Sequence, residues 1–320
     1  MLILLTKMLP LILLLFAGYM LYRVKLLDAT FNQQLSRVVL NVFYPGLIIS
    51  SMLHNFTWET LLHNWVMPAG MAFILLAGWV AGALTLPLLK RQPENTRHSY
   101  HFVCMTNNYA FLPILVATSL WGEKAAALIV LAGLGAELCV WTLGIKSLTG
   151  QPFGRGFFRN IISLPMIALL VSFVLLAIRS ACVNHGYVPA EGTLTDELFK
   201  NSLLACRMAG NATIPAAALI CGVRIAMIRP QRLLSPLVLG ASFLRLAVIP
   251  AICIAVLLLL PLEAETRRVL ILIATMPVSM ASITLAEAYR SDADFSASAV
   301  LLTLLLCLIT IPLWLAVTGV

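Results

Sequence analysis

Apolar residues run along this chain in long stretches that are separated by short polar junctions. An α-helix needs about 20 mostly apolar residues to cross the hydrocarbon core of a bilayer. Cutting the chain at junctions with charged residues, glycine or proline predicts ten spans: 2–22, 29–53, 65–89, 98–121, 125–146, 159–180, 197–222, 232–260, 267–289 and 294–318. The pattern therefore predicts an all-α polytopic membrane protein with ten transmembrane helices.

Composition excludes a water-soluble fold. Hydrophobic residues make up 61% of the 320 residues and charged residues 11%, whereas soluble domains carry about 25% charged residues. Mean hydropathy is +0.98. The net charge of +8 is scattered over short junctions, so it does not indicate a nucleic-acid partner. The expected surroundings are a lipid bilayer.

Charge also predicts orientation. Basic residues gather in the junctions on one side of the bundle, as at Lys90, Arg91 and Arg290, and acidic residues on the other, as at Glu59 and Glu263. Cytoplasmic loops of membrane proteins carry the excess of Lys and Arg. Both termini are therefore expected on the outer side.

Two halves of the chain share a polar pattern. "SRVVLNVFYPGLII" in span two and "CRMAGNATIPAAALI" in span seven match at three positions 170 residues apart: Arg37 with Arg207, Asn41 with Asn211, and Pro45 with Pro215. In spans four and nine, "NNYAFLP" and "TMPVSMAS" overlap at an offset of 168 residues. A unit of five spans has an odd number of crossings, so its copy enters from the opposite side, as in many transporters. We predict two inverted repeats, 1–150 and 151–320.

Proline and polar residues interrupt these apolar spans. Proline removes a backbone donor, and backbone freed in hydrocarbon is costly unless it is buried in protein or lines a wet cavity. We expect helix breaks at Pro45, Pro113, Pro215 and Pro277. The alternative is a proline kink that neighbouring helices satisfy.

Breaks in spans four and nine would expose helix N-termini, which attract anions. If the two spans cross near mid-membrane, the surrounding polar residues form the substrate site. The candidate substrate-binding residues are Asn41, Asn107, Asn108, Tyr109, Asn211, Thr213, Thr275, Met276 and Ser279.

Four charged residues inside spans need an explanation, since such residues are costly in a membrane. Arg37 and Arg207 either meet an anion in opposite access states or extend to the headgroups. Glu137 and Arg245 either form a buried ion pair, or Glu137 binds a proton that is coupled to transport.

The motifs resemble those of the auxin efflux carrier family, which includes the plant PIN-formed auxin exporters and bacterial malate and malonate carriers. The similarity extends over essentially the whole chain and is most specific in "MPVSMASITLAEAYRSD", followed by "NYAFL" and "YPGLI". The resemblance implies a scaffold of spans 1, 2, 6 and 7 and a transport domain of spans 3, 4, 5, 8, 9 and 10, with spans four and nine crossing at the substrate site. It also implies elevator-like transport of carboxylates, a homodimer and, for a bacterial member, the inner membrane.

The leading hypothesis is a secondary active transporter of a small organic anion, coupled to a proton or a counter-anion. A channel would need a continuous polar lining, and an intramembrane enzyme or sensor would need a nucleophile such as Ser279 beside a histidine. No nucleotide-binding or catalytic motif occurs, and the histidines are not spaced as metal ligands. The sequence therefore predicts no enzymatic activity, no cofactor and no metal.

Overall fold

A computed structural model describes residues 2–109, 111–151, 164–184, 192–227 and 233–320. Within these ranges the chain forms helices and connecting turns, with one isolated antiparallel bridge between Asn107 and Val278. The all-α fold class is confirmed. The predicted starts of span six at 159 and span eight at 232 lie outside the described residues.

The helices of the first half are α1 (Leu2–Arg23), α2 (Ala29–Val38), α3 (Tyr44–Asn55), α4 (Trp58–His63), α5 (Val66–Thr85), α6 (Glu94–Met105), α7 (Phe111–Trp121), α8 (Glu123–Cys139) and α9 (Ile145–Thr149). Those of the second half are α10 (Leu164–Asn184), α11 (Leu194–Asn211), α12 (Thr213–Met227), α13 (Pro236–Phe243), α14 (Ile249–Leu259), α15 (Ala264–Ala274), α16 (Ala281–Ala288) and α17 (Ala293–Thr318).

Several of these helices join into segments long and apolar enough to cross a membrane. The described ranges hold six such segments: Ala29–His54, Val66–Leu89, Leu128–Thr149, Leu194–Met227, Pro236–Leu259 and Ala293–Thr318. Predicted spans four and nine are instead divided, into α6 with α7 and α15 with α16. The chain is a multi-pass membrane protein, and the count of ten spans stays a prediction.

The outer surface of the bundle is apolar. Leu84, Leu88 and Leu259 leave 75%, 82% and 86% of their surface exposed. Contiguous apolar surface on this scale is typical of a protein that is solvated by lipid. The fully buried core lies instead among α5, α6, α8 and α15, where Met71, Phe102 and similar side chains meet.

Glycines set the closest helix contacts in the bundle. A Cβ at Gly222 of α12 would lie 2.0 Å from the carbonyl oxygen of Leu15 in α1, and one at Gly18 of α1 would lie 2.3 Å from that of Leu219. Gly46 of α3 meets the backbone of α11 in the same way. These contacts, together with the packing of α10 on α3, hold α1, α3, α10, α11 and α12 together as one packed group.

Three helices widen into π turns. They lie at Val39–Phe43, Val140–Gly144 and Leu244–Val248. A π turn rotates the side chains that follow it and often occurs at functional sites. Tyr44 follows the first turn, Trp141 lies in the second and Arg245 in the third.

Candidate functional site

The two divided spans meet at their breaks. The amide of Asn108 donates to the carbonyl oxygen of Pro277 at 2.8 Å, and the side-chain amide of Asn107 donates to that of Ile273 at 2.6 Å. The Thr106 and Ser282 hydroxyls share a hydrogen bond of 2.9 Å. We call the two breaks, residues 106–109 and 275–280, the crossing.

The four prolines at which we predicted helix breaks have different surroundings in the structure. Pro277 lies within the break between α15 and α16, whereas Pro113 is the third residue of α7, after its break has ended. A proline in the first helical turn removes an N–H that has no intrahelical acceptor, so α7 tolerates it. The chain stays helical around the other two: Pro45 follows a π turn, and Pro215 follows a turn at Ala212.

Arg245 compensates the two helix C-termini at the crossing. Its side chain is fully buried and donates to the carbonyl oxygens of Ala274 at 2.9 Å, Met276 at 3.3 Å and Cys104 at 3.5 Å. Helix C-termini carry partial negative charge and unpaired carbonyls. The guanidinium therefore supplies a positive charge and donors where α6 and α15 end.

This arrangement contradicts the ion pair between Glu137 and Arg245. Arg245 binds carbonyl oxygens, and both oxygens of Glu137 accept hydrogen bonds from aromatic side chains. Hydropathy located both charges deep in their spans, but it does not give the direction in which each side chain points around its helix.

Glu137 belongs to a buried network of aromatic donors. The Trp141 indole donates to its Oε2 at 2.9 Å, and Tyr109 and Tyr44 both contact its Oε1, Tyr109 at 2.9 Å. The two phenol oxygens are 2.7 Å apart. Such a carboxyl inside the membrane marks a functional site by default.

A cavity of about 60 Å³ lies beside this network and the crossing, and we call it cavity A. It is lined by Val39, Leu40, Tyr44, Phe102, Thr106, Asn108, Tyr109, Glu137, Val140, Trp141, Thr213, Ala217, Ser279, Met280, Ala281, Thr284 and Leu285. The lining is mostly apolar, and Glu137 is the only carboxylate among the described residues that form it. No lysine, arginine or histidine of the described ranges lines it.

The structure brings four of the predicted substrate-binding residues to cavity A: Asn108, Tyr109, Thr213 and Ser279. The hydroxyl of Thr213 is buried and has no hydrogen-bond partner in the described part of the chain. It is therefore available to a ligand.

The other five candidates lie elsewhere. Asn107, Thr275 and Met276 are fully buried behind the cavity, where Asn107 and Thr275 bind carbonyl oxygens. Asn41 and Asn211 lie on exposed helix faces, as do Arg37 and Arg207, and Asn41 donates to the Arg37 carbonyl at 2.8 Å.

Sequence reasoning missed Tyr44, Trp141 and Thr106. Trp141 carried a usable signal, because it follows Glu137 by four residues and so lies on the same helix face. Tyr44 directly precedes the predicted break at Pro45, and its only sequence signal is its place in the "YPGLI" motif. Thr106 opens the polar stretch that includes Asn107 and Asn108.

Comparison with known protein families finds a match over nearly the whole chain. The family model described as "Membrane transport protein" matches residues 3–153 and 157–315, nearly the whole chain. The chain belongs to the auxin efflux carrier family of membrane transport proteins. This is a family of transporters and not of enzymes.

Plant relatives of this family are similar over part of the chain. Protein PIN-LIKES 1 of Arabidopsis thaliana is 25% identical over 104 residues, which are 32% of this chain and 22% of that protein. PIN-LIKES 3 of the same plant is 30% identical over 105 residues, 32% of this chain and 26% of the relative. The aligned stretch thus spans about a quarter of each relative's length.

Proposed function

We propose that this auxin efflux carrier family protein is a secondary active transporter that moves a small organic anion by an elevator-like mechanism. The crossing supports this best, because Arg245 compensates its helix C-termini whereas α7 and α16 begin there with their N-termini. Helix N-termini attract anions. A positive crossing beside a cavity is suited to a carboxylate.

The lining of cavity A narrows the substrate class. A dicarboxylate would place its second charge against apolar walls and Glu137, and the described lining residues include no cationic side chain to receive it. A monocarboxylate with an apolar body would bury that body against Val39, Leu40 and Leu285. We therefore favour an amphipathic monocarboxylic acid, bound by Asn108, Thr213 and Ser279.

Packing supports the proposed division into scaffold and transport domain. Cavity A has α12 and the segment of α2 and α3 on one side, and α6, α8 and α16 on the other. These sides correspond to spans two and seven against spans four, five and nine. Alternating access would move the second group, with its bound substrate, past the first.

The full proposal includes ten spans in two inverted repeats, 1–150 and 151–320, in a bacterial inner membrane with both termini periplasmic. Arg37, Asn41, Arg207 and Asn211 are exposed on spanning helices. Charge facing lipid is costly, so a homodimer that covers this scaffold face is favoured. Coupling is to a proton or a counter-anion.

A thermal-shift screen of organic acids on purified protein tests the substrate site. We expect a monocarboxylic acid to raise the melting temperature more than a dicarboxylate of similar size does. Asn108→Ala and Thr213→Val should weaken its apparent affinity at least about tenfold, since each loses a buried hydrogen bond to an anion.

Asn201→Ala, which changes an exposed asparagine on α11, serves as the matched control and should keep the wild-type affinity. Saturable uptake of the same acid into proteoliposomes separates a carrier from a channel. Equal affinities in the wild-type, Asn108→Ala and Thr213→Val proteins would refute the assignment of cavity A.

A further inference from the structure

A second cavity lies on the other side of the Glu137 network. Cavity B has a volume of about 150 Å³ and is lined mainly by apolar side chains, among them Ile48, Met52 and Val130. Tyr44, Tyr109 and Glu137 line both cavities. We call these three residues the triad.

The order of residues along two segments shows that the triad lies between the cavities. Before Tyr44, the chain lines cavity A with Val39 and Leu40, and after Tyr44 it lines cavity B, from Leu47 to Met52. The segment that contains Glu137 has the reverse order, with Ile129 to Leu134 at cavity B and Val140 and Trp141 at cavity A. The triad is therefore a barrier between two stacked cavities.

The number of hydrogens that the triad can share between its oxygens indicates what holds the barrier closed. The Tyr44 oxygen, the Tyr109 oxygen and Oε1 of Glu137 make three mutual contacts at hydrogen-bond distance. Each contact needs one hydrogen, and an ionised carboxylate donates none. The two phenols supply two hydrogens, so with an ionised Glu137 one pair of oxygens would face each other without a hydrogen.

A third hydrogen completes the set. If Oε1 carries a proton, Glu137 donates to one phenol, that phenol donates to the other, and the second phenol donates back to Oε1. Trp141 donates to Oε2, which leaves that oxygen as the acceptor. The ring of three donors then fits the ring of three contacts.

We propose that the triad is a binding site for one proton, which closes the barrier between cavities A and B when it is bound. This inference rests on the proposed transport function and specifies its coupling. An ionised Glu137 would repel a carboxylate in cavity A, whereas a protonated one would not. The anion and the proton therefore bind together and cross together as symport.

In the part of the chain that the structure describes, no titratable group outside the triad faces Glu137 from the helices that pack most closely on α8, which are α5, α7 and α15. The described side chains of α5 and α7 include none. Those of α15 lie in its first turns, where Glu265 pairs with Lys124 at 2.6 Å at the opposite end of α8. Of the titratable residues within the described ranges, only the triad lines the two cavities.

Infrared spectroscopy of the purified protein tests the proton site without any substrate. At neutral pH the wild-type spectrum should contain a carbonyl stretch of a protonated carboxyl group that Glu137→Gln removes and Glu59→Gln, at an exposed position on α4, leaves in place. Tyr44→Phe removes one hydrogen of the ring and should shift this band. A spectrum that Glu137→Gln leaves unchanged, or a band that Tyr44→Phe does not move, would overturn the proposal.

Proteoliposome uptake tests the coupling. For electroneutral symport of one proton with a monocarboxylate, a gradient of one pH unit should drive about tenfold accumulation, after subtraction of the signal from protein-free liposomes. Glu137→Gln should exchange labelled for unlabelled acid but accumulate none. If that variant accumulates acid as the wild type does, symport through Glu137 is refuted. If no acid enters saturably in any variant, the transport function fails, while the infrared result still decides the proton site.

Discussion

Arg245 is buried and contacts no carboxylate of the described residues, and its surroundings show how such an arginine is stabilised. Its charge lies at two helix C-termini, and its donors pair with three carbonyl oxygens that the breaks leave without helical partners. An unpaired buried carbonyl costs about 1–3 kcal/mol. The breaks and the arginine therefore stabilise each other.

Replacing Arg245 should destabilise the whole crossing. We expect Arg245→Met to lower the free energy of unfolding by at least about 2 kcal/mol, because it leaves three buried carbonyls unpaired. Arg245→Lys keeps the charge and part of the hydrogen bonding, so its melting temperature should fall between those of the wild type and the Met variant. Thermal unfolding in detergent checks this order. A Met variant that melts with the wild type would show that the carbonyls do not need the guanidinium.

The residue scale also shows what the sequence could predict about the site. Polar residues in apolar stretches located Asn108, Tyr109, Thr213 and Ser279, which the structure brings to one cavity. Of the two alternatives for Glu137, the structure contradicts the ion pair with Arg245, because the partners of Glu137 come from distant segments and from a π turn. Sequence periodicity predicts how deep in the membrane a residue lies. It does not predict how a π turn, which has one extra residue, rotates the side chains that follow it around the helix axis.

At the element scale, the crossing depends on helices that end where hydrophobicity alone would continue them. The sequence predicted interruptions in spans four and nine, and the structure divides both spans there. It did not predict that α7 begins before Pro113. A proline is compatible both with a helix break and with the first turn of a helix, so its position alone does not decide between them. The π turns had no recognised sequence signal.

Close helix contacts give a direct test at this scale. A Cβ at Gly222 would lie 2.0 Å from a backbone oxygen of α1, so Gly222→Ala must push α1 and α12 apart. Overpacking of this kind costs about 1–3 kcal/mol, and we expect a lower melting temperature in detergent.

Gly240→Ala is the matched control, since nothing lies within 4 Å of a Cβ there. Alanine is favoured over glycine within a helix by up to about 1 kcal/mol, so this variant should be neutral or slightly stabilised. Equal melting temperatures for the two variants would argue against tight packing of α1 on α12.

At the scale of the whole molecule, both cavities lie where two packed groups of helices meet. Tyr44 of α3 and Thr213 of α12 come from one side, and Glu137 of α8 comes with Asn108 and Ser279 of the crossing from the other. A substrate bound in cavity A, as proposed, would contact both groups. Relative movement of the groups would therefore change its access without dismantling the crossing, which lies within one group.

Cross-linking distinguishes movement of one helix group past the other from a local opening at cavity A. Leu40 and Leu285 line cavity A from opposite groups, and a disulfide or short bismaleimide between cysteines at these positions should abolish uptake, with recovery when the disulfide is reduced. The control pair is Ser99→Cys with Ser291→Cys, whose native hydroxyls are 2.8 Å apart within the group that contains the crossing. If the group that contains the crossing moves as a rigid body, the distance between positions 99 and 291 does not change. The link between these two positions should therefore leave uptake within about twofold of that of the same variant before cross-linking. Loss of uptake with both links would indicate that the crossing itself deforms, and uptake that persists with the first would exclude an elevator movement at cavity A.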